Sequence, residues 1–207
     1  MEEYDTRDYK LALCLESGRA AKVAGVQEWG LGEDLTFTLF GWVGNRLGVI
    51  STLASNLMAE PQPRRIERVA NAARILRLGW GVDEFVFMAE GFVSSDSEKS
   101  VGKDLRALFT EKDSPVEECL TLSFITATDW EVVTAPYRLG LGRKVEWLPL
   151  MRTRDSQTLR DSVYPRVIQA SLTLMKVRPP EHHPDIFYET LAAGLEDEGF
   201  GTQWEFD

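Results

Sequence analysis

"ECLTLSFITATDWEVVTAPYRLGLGRKVEWL", residues 118–148, is the stretch of the sequence that decides the fold. Two apolar runs rich in β-branched and aromatic residues flank a polar turn near residues 127–129, which predicts a β-hairpin. Gly140-Leu141-Gly142 predicts a second turn, and residues 144–148 a third strand. Strands joined by such short turns pair antiparallel. We therefore expect a three-stranded meander.

The segments on either side of this meander extend the same pattern. Residues 35–53 alternate apolar and polar around Gly44-Asn45, which predicts another hairpin, and residues 83–94 are apolar on both alternating faces, as in a buried central strand. Helical periodicity follows residue 5 and recurs at 63–78, from Asp155 or Ser156 onward, and within 185–199. We predict the α+β class: a mainly antiparallel sheet with helices packed on one side.

Length and charge suggest how the chain is divided. The 207 residues suit one domain, which we place at residues 1–178, followed by a C-terminal segment at 179–207 that is helical in part. The net charge is −10, and residues 181–207 contain eight acids but no lysine or arginine. Because phosphate backbones are gripped by basic surfaces, nucleic-acid binding is disfavoured.

The expected location and cofactor use rest on targeting, membrane and metal-binding patterns that the sequence lacks. The first residues are acidic, unlike a signal peptide, and no apolar run is long enough to span a bilayer. Cys14 and Cys119 form no CxxC pair, and His182 and His183 lack a nearby cysteine. We expect a cytoplasmic protein with reduced thiols and without a metal, cofactor or catalytic triad, and a homo-oligomer remains open.

The turn at residues 137–147 raises the question of a phosphate-binding loop. Val145 stands where a P-loop needs Ser or Thr, and a strand follows instead of a helix, so a strand-turn-strand junction is the preferred interpretation. Arg138, Arg143 and Lys144 nevertheless cluster there. With Glu90, these three residues are our candidates for binding a small phosphorylated ligand.

Glu90 is unusual because it lies in an otherwise apolar strand, beside Gly91. Burial would raise the pKa of its carboxyl group and could make it an acid or base. The alternative, which we favour, is a structural role, at the strand's exit from the sheet or paired with an arginine of the helix near residues 64–77.

The C-terminal segment interleaves acids with aromatic residues, a composition typical of segments that dock on basic or apolar grooves. The alternative is that the aromatic residues fold back on the body, and the arginines near residue 68 could pair with this acidic segment. The candidate partner-binding residues are Phe187, Tyr188, Glu196, Asp197, Glu198, Phe200, Trp204 and Phe206.

Three stretches, "FMAEGFVSSD", "VEECLTLSFI" and "APYRLGLGRKVEWL", resemble a group of small uncharacterised proteins encoded by bacteriophages of actinobacteria. The resemblance covers roughly residues 84–150. It implies a phage-encoded protein made in the host cytoplasm, and it carries over no known catalytic residues.

These observations favour a non-catalytic protein that interacts with or regulates a partner protein. The motivating feature is a strongly acidic C-terminus beside an almost neutral body that lacks a recognisable catalytic motif. The alternatives are an enzyme or binder acting on a small phosphorylated ligand, and an acidic protein that imitates DNA.

Overall fold

One antiparallel sheet organises the computed structural model, which describes residues 6–29, 35–96, 104–110, 114–153 and 162–204. The helices are α1 Thr6–Trp29, α2 Gln62–Trp80, α3 Leu105–Phe109, α4 Val163–Leu172 and α5 Pro184–Asp197, with a short 3-10 helix at Ser55–Ala59. The strands are β1 Thr38–Val43, β2 Arg46–Leu53, β3 Glu84–Ser94, β4 Val116–Ile125, β5 Trp130–Gly140, β6 Lys144–Trp147, β7 Met151–Thr153 and β8 Phe200–Trp204.

The strand order is β6-β5-β4-β3-β1-β2-β8, and β7 pairs beside β5. All pairs are antiparallel, with Leu122 of β4 opposite Val133 of β5 and Phe40 of β1 opposite Val86 of β3. The predicted meander, the β1–β2 hairpin and the central strand β3 are confirmed, and so is the α+β class.

Helices cover both faces of the sheet, so the expectation that they lie on one side is wrong. Phe85 and Phe87 of β3 enter a core with α2, α4 and α5, whereas Val86 and Met88 enter a second core against α1. The reason is the pattern of β3 itself. A strand that is apolar on both alternating faces buries both of them only when each face is covered.

Two glycines allow the helices to approach closely. A Cβ atom at Gly18 of α1 would lie 2.5 Å from Sδ of Met88, and one at Gly79 of α2 would lie 2.0 Å from Cδ1 of Leu191 on α5. A larger residue at either position would force the Met88 or Leu191 side chain to move, so each glycine gives room to a core side chain of the facing element.

The C-terminal segment supplies an edge strand and part of the core. Strand β8 pairs with β2, with Phe200 opposite Leu53 and Thr202 opposite Ser51. Leu195 and Phe200 are buried in the core under α2. The segment that begins at residue 179 therefore packs into the same core as the preceding residues.

The helix expected from Asp155 or Ser156 falls in part outside the described residues, which omit 154–161. The described helix α4 begins at Val163, and Pro165 lies in its first turn. A proline there breaks no intrahelical hydrogen bond, because the first amide groups of a helix have no partner within it.

Replacing Phe200 by alanine should destabilise the protein by about 3–5 kcal/mol, because the ring is 1% exposed and its loss leaves a cavity. Urea denaturation followed by circular dichroism measures the change. Ile186→Ala on exposed α5 is the control and should change stability by no more than about 0.5 kcal/mol. Equal effects of the two substitutions would contradict the placement of β8 in the core.

Candidate functional site

The inner face of α1 carries two lysines that are almost completely buried. Lys10 and Lys22 are each 2% exposed. Nζ of Lys10 donates to Glu84 and, at 2.7 Å, to the carbonyl oxygen of Gly44. Nζ of Lys22 lies 2.6 Å from Oε1 of Glu90. Because a buried unpaired charge is strongly unfavourable, these pairs determine where α1 can sit on the sheet.

Glu90 is held by three separate parts of the chain. Besides Lys22, the hydroxyl of Tyr137 donates to Oε1, and the backbone N–H of Leu35 donates to Oε2 at 2.7 Å. Burial, followed by the neighbouring Glu90, raises the pKa of the Tyr137 phenol well above its usual range. The phenol therefore stays protonated and acts as the donor. Both carboxylate oxygens are engaged, which supports a structural role for Glu90.

The predicted partner of Glu90 was an arginine of the helix near residues 64–77, and this is wrong. Glu90 points to the face of the sheet that α1 covers, whereas α2 packs on the opposite face. Its partner is Lys22, which follows Leu15 and Gly18 at helical spacing and therefore lies on the face of α1 that packs against the sheet.

Cations of α1 also lie over aromatic rings of the sheet. The distances to the ring centroids range from 5.0 to 5.1 Å. The pairs are Arg7 with Phe124, Lys10 with Trp42, Arg19 with Trp147 and Lys22 with Tyr137. Each cation gains about 0.5–2 kcal/mol from such a contact. The interface between α1 and the sheet is therefore bound by charge as well as by apolar packing.

A cavity of about 320 Å³ opens beside β3 where β1 stops pairing with it. The β1–β3 ladder ends at Thr38 opposite Met88, but β3 continues to Ser94. Leu35 and Phe37 border the resulting gap. The polar residues that line it are Gln62, Arg65, Glu90, Arg106, Glu118 and Tyr164.

The predicted basic cluster does not join Glu90. Nε of Arg138 donates to Glu117 at 2.8 Å, and Arg138 projects to the face of the sheet opposite Glu90. Nη1 of Arg143 donates to the carbonyl oxygen of Gln27 at 3.0 Å, while Lys144 is exposed. The predicted strand-turn-strand junction is confirmed by β5 and β6, but its cations do not form one ligand site with Glu90.

The aromatic residues of the C-terminal segment divide between core and surface. Phe200 is buried in the core, so it is withdrawn from the candidate partner contacts. The rings of Phe187 and Tyr188 pack together, and Tyr188 also contacts Trp80 of α2. The Trp204 side chain and Phe206 lie outside the described part of the structure.

The acids of this segment also have different environments. Glu198 accepts from Asn71 at 2.8 Å and lies 3.9 Å from Arg68, which confirms that the arginine helix pairs with the acidic segment. Glu196 and Asp197 are exposed. Only these two of the three consecutive acids are therefore free to face a partner.

Within the described residues, no group of three or more His, Cys, Asp or Glu side chains is arranged to hold a metal ion. None of the helices in these ranges combines the length and apolar character needed to cross a bilayer.

The comparisons with known proteins found no match for this chain. No family model matches it, and neither do the curated proteins or the solved structures.

Lys22→Ala should destabilise the protein by about 3–5 kcal/mol, because it leaves Glu90 buried without its cation. The double variant Lys22→Met with Glu90→Gln should lose less stability than the sum of the losses in Lys22→Met and Glu90→Gln measured separately. A double-mutant cycle measured by urea denaturation tests this.

The exposed pair Arg64–Glu67 is the matched control, and its coupling should not exceed about 0.5 kcal/mol. Strict additivity at Lys22 and Glu90 would show that the buried contact does not hold α1 in place.

The two thiols should be unreactive in the native protein. Burial raises the pKa of Cys14 to about 12 and that of Cys119 to about 11, from an ordinary value of 9.0. Since the thiolate is the nucleophile, a disulfide reagent at about pH 8 should modify them only after unfolding.

The same shifts predict lower stability in alkali. The unfolded chain releases its thiol protons near pH 9, before the folded protein does, so stability falls as the pH rises from 9 toward 11. Denaturation at several pH values measures the slope, which should be shallower in Cys119→Ala. An unchanged slope in this variant would exclude the Cys119 thiol as a cause.

Proposed function

We propose that this protein is a non-catalytic interaction protein whose α5 binds a basic segment of a partner protein. The observation that carries the proposal is the acidic surface of α5, which we define as Asp185, Ile186, Glu189, Glu196 and Asp197. All five residues are exposed, and residues 181–204 contain no lysine or arginine. A cationic partner would meet acidic groups along the length of the helix without an opposing charge.

The C-terminal end of α5 supports this proposal because its acids act against stability. Glu196 and Asp197 occupy the last turn, where the negative end of the helix dipole disfavours anions. Neither side chain makes an ion pair within the described residues. Residues that lower the stability of the fold and make no compensating contact are candidates for function.

Apolar groups on the same helix offer anchoring contacts. Ile186 is 58% exposed and Tyr188 is 36% exposed, next to the acids. Anchors of this kind supply most of the affinity in interfaces, whereas surrounding charges guide the encounter. We therefore expect the partner segment to be basic and amphipathic.

For the nature of the partner, we rely on the resemblance to proteins of actinobacterial phages. A protein made by a phage inside its host meets host proteins in the cytoplasm, so a host protein is the partner that we propose. The DNA-mimic alternative gains no support from α5. A duplex presents two rows of phosphates, whereas one helix provides a single line of acids.

The triple variant Glu189→Gln, Glu196→Gln and Asp197→Asn should abolish capture of the partner in a pull-down from host extract analysed by mass spectrometry. It should also be more stable than the original protein by about 0.3–1 kcal/mol for each of the last two changes. Lost binding together with higher stability separates a functional effect from unfolding.

A control variant with the same net charge replaces exposed acids elsewhere: Glu16→Gln, Glu67→Gln and Glu146→Gln. It should capture the same partner as the original protein. Capture that is unchanged in the α5 variant, or equally reduced in the control, would refute the proposed role of this surface.

A further inference from the structure

Arg65 differs from its neighbours on α2 because it has no acidic partner. Arg64 donates to Glu67 at 3.0 Å and Arg68 donates to Glu60 at 2.8 Å, but Arg65 makes no ion pair within the described residues. It points instead into the cavity beside β3. Arg106 of α3 lines the same cavity, and its guanidinium is also without a carboxylate in the described ranges.

Two buried polar atoms at this cavity lack hydrogen-bond partners in the described part of the chain. They are Nε of Arg65 and the hydroxyl oxygen of Tyr164. Native proteins pair nearly all buried polar groups, so an unpaired one needs an explanation. Two such atoms from different helices at one cavity are explained together if a ligand completes their hydrogen bonds.

Aromatic packing holds these two side chains in place. The guanidinium of Arg65 lies over the ring of Phe37 at 5.6 Å, and the Tyr164 ring packs against Phe37 at 4.8 Å and Phe87 at 5.4 Å. The polar ends are thereby fixed while the rings form the wall. Such a preorganised pair loses little entropy when it binds a ligand.

The charges around the cavity favour an anion. Glu90 lines it, but both of its oxygens are engaged by Lys22, Tyr137 and Leu35. The two guanidinium groups then face one further acid, Glu118, which makes other interactions within the chain. The remaining charge is positive, in a protein whose net charge is −10.

We propose that this cavity binds a small molecule through a phosphate or carboxylate group held by Arg65 and Arg106, with the Tyr164 hydroxyl as an additional donor. Guanidinium groups match both oxyanions by paired N–H···O bonds. A volume of about 320 Å³ lies at the lower end for ligand sites, which favours a small metabolite.

A neighbouring cavity can accommodate the uncharged part of the ligand. A second cavity of about 320 Å³ shares Gln62, Ala89 and Tyr164 with the first. Thr121 and Ser123 add hydroxyl groups to its lining, so a body that carries hydroxyl or amide groups fits there. This site is independent of the α5 surface, because no residue of α5 lines either cavity.

The test measures saturable binding to the full chain by calorimetry and thermal shift. The probes are inorganic phosphate and acetate, each compared with chloride at equal ionic strength. At least one oxyanion should stabilise the protein beyond chloride, and the one that saturates at the lower concentration identifies the ligand's anionic group. Absence of saturable stabilisation by either oxyanion would overturn the proposal.

Arg65→Gln should weaken binding of that oxyanion at least tenfold, since it removes a charge-assisted hydrogen bond. Arg64→Gln is the matched control, because this neighbouring side chain is 70% exposed and does not line the cavity. Its affinity should equal that of the original protein. Equal losses in the two variants would indicate general charge attraction and would refute the site.

Two further variants keep the test decisive if Arg65→Gln fails to fold. Arg106→Gln, on the exposed face of α3, should also weaken binding. Tyr164→Phe should weaken binding and at the same time raise the melting temperature without ligand, because it removes a buried unpaired hydroxyl. Unchanged affinity in both variants would contradict the assignment.

Discussion

The contact between Lys22 and Glu90 joins parts of the chain that are distant in sequence. Through Glu90, α1 is tied to the centre of the sheet, to Tyr137 on β5 and to Leu35 at the entrance to β1. The β1–β3 ladder ends at Thr38, three residues after this contact of Leu35, and β3 continues beyond it to Ser94. The cavity beside β3 therefore lies next to the same carboxylate that pairs with α1.

The buried charged pairs at this interface add a positional constraint to the apolar packing of α1. Removing two charges from water costs several kcal/mol, and the attraction between the charges offsets this desolvation cost only when their geometry is good. Lys10 pairs with Glu84 and Lys22 pairs with Glu90, so a shift of α1 on the sheet would separate both buried ammonium groups from their carboxylates. The rings of Trp42 and Tyr137 below these ammonium groups restrict the alternatives further.

The strands were largely predictable because alternation and turn residues are local signals. The meander and the β1–β2 hairpin follow from them directly. The position of α1 was not predictable. Lys10 and Lys22 are polar residues, and they are buried because each pairs with a carboxylate that is distant in the sequence. Likewise, β8 is short and contains Gly201, and its local sequence gives little strand signal without its pairing with β2. Arg65, Arg106 and Tyr164 come from three helices, and nothing local in the sequence signals that they meet at one cavity.

The pairing of β8 with β2 has a consequence for biosynthesis. Ser51 and Thr202, which lie opposite each other, are separated by 151 positions in the chain. On the ribosome, the β1–β2 hairpin is complete long before its edge partner has been translated. During that interval β2 presents unpaired backbone groups, and the core position of Phe200 is unfilled. Exposed edges of this kind template aggregation, so slower translation between residues 54 and 199 would lengthen the period in which the chain is prone to aggregate.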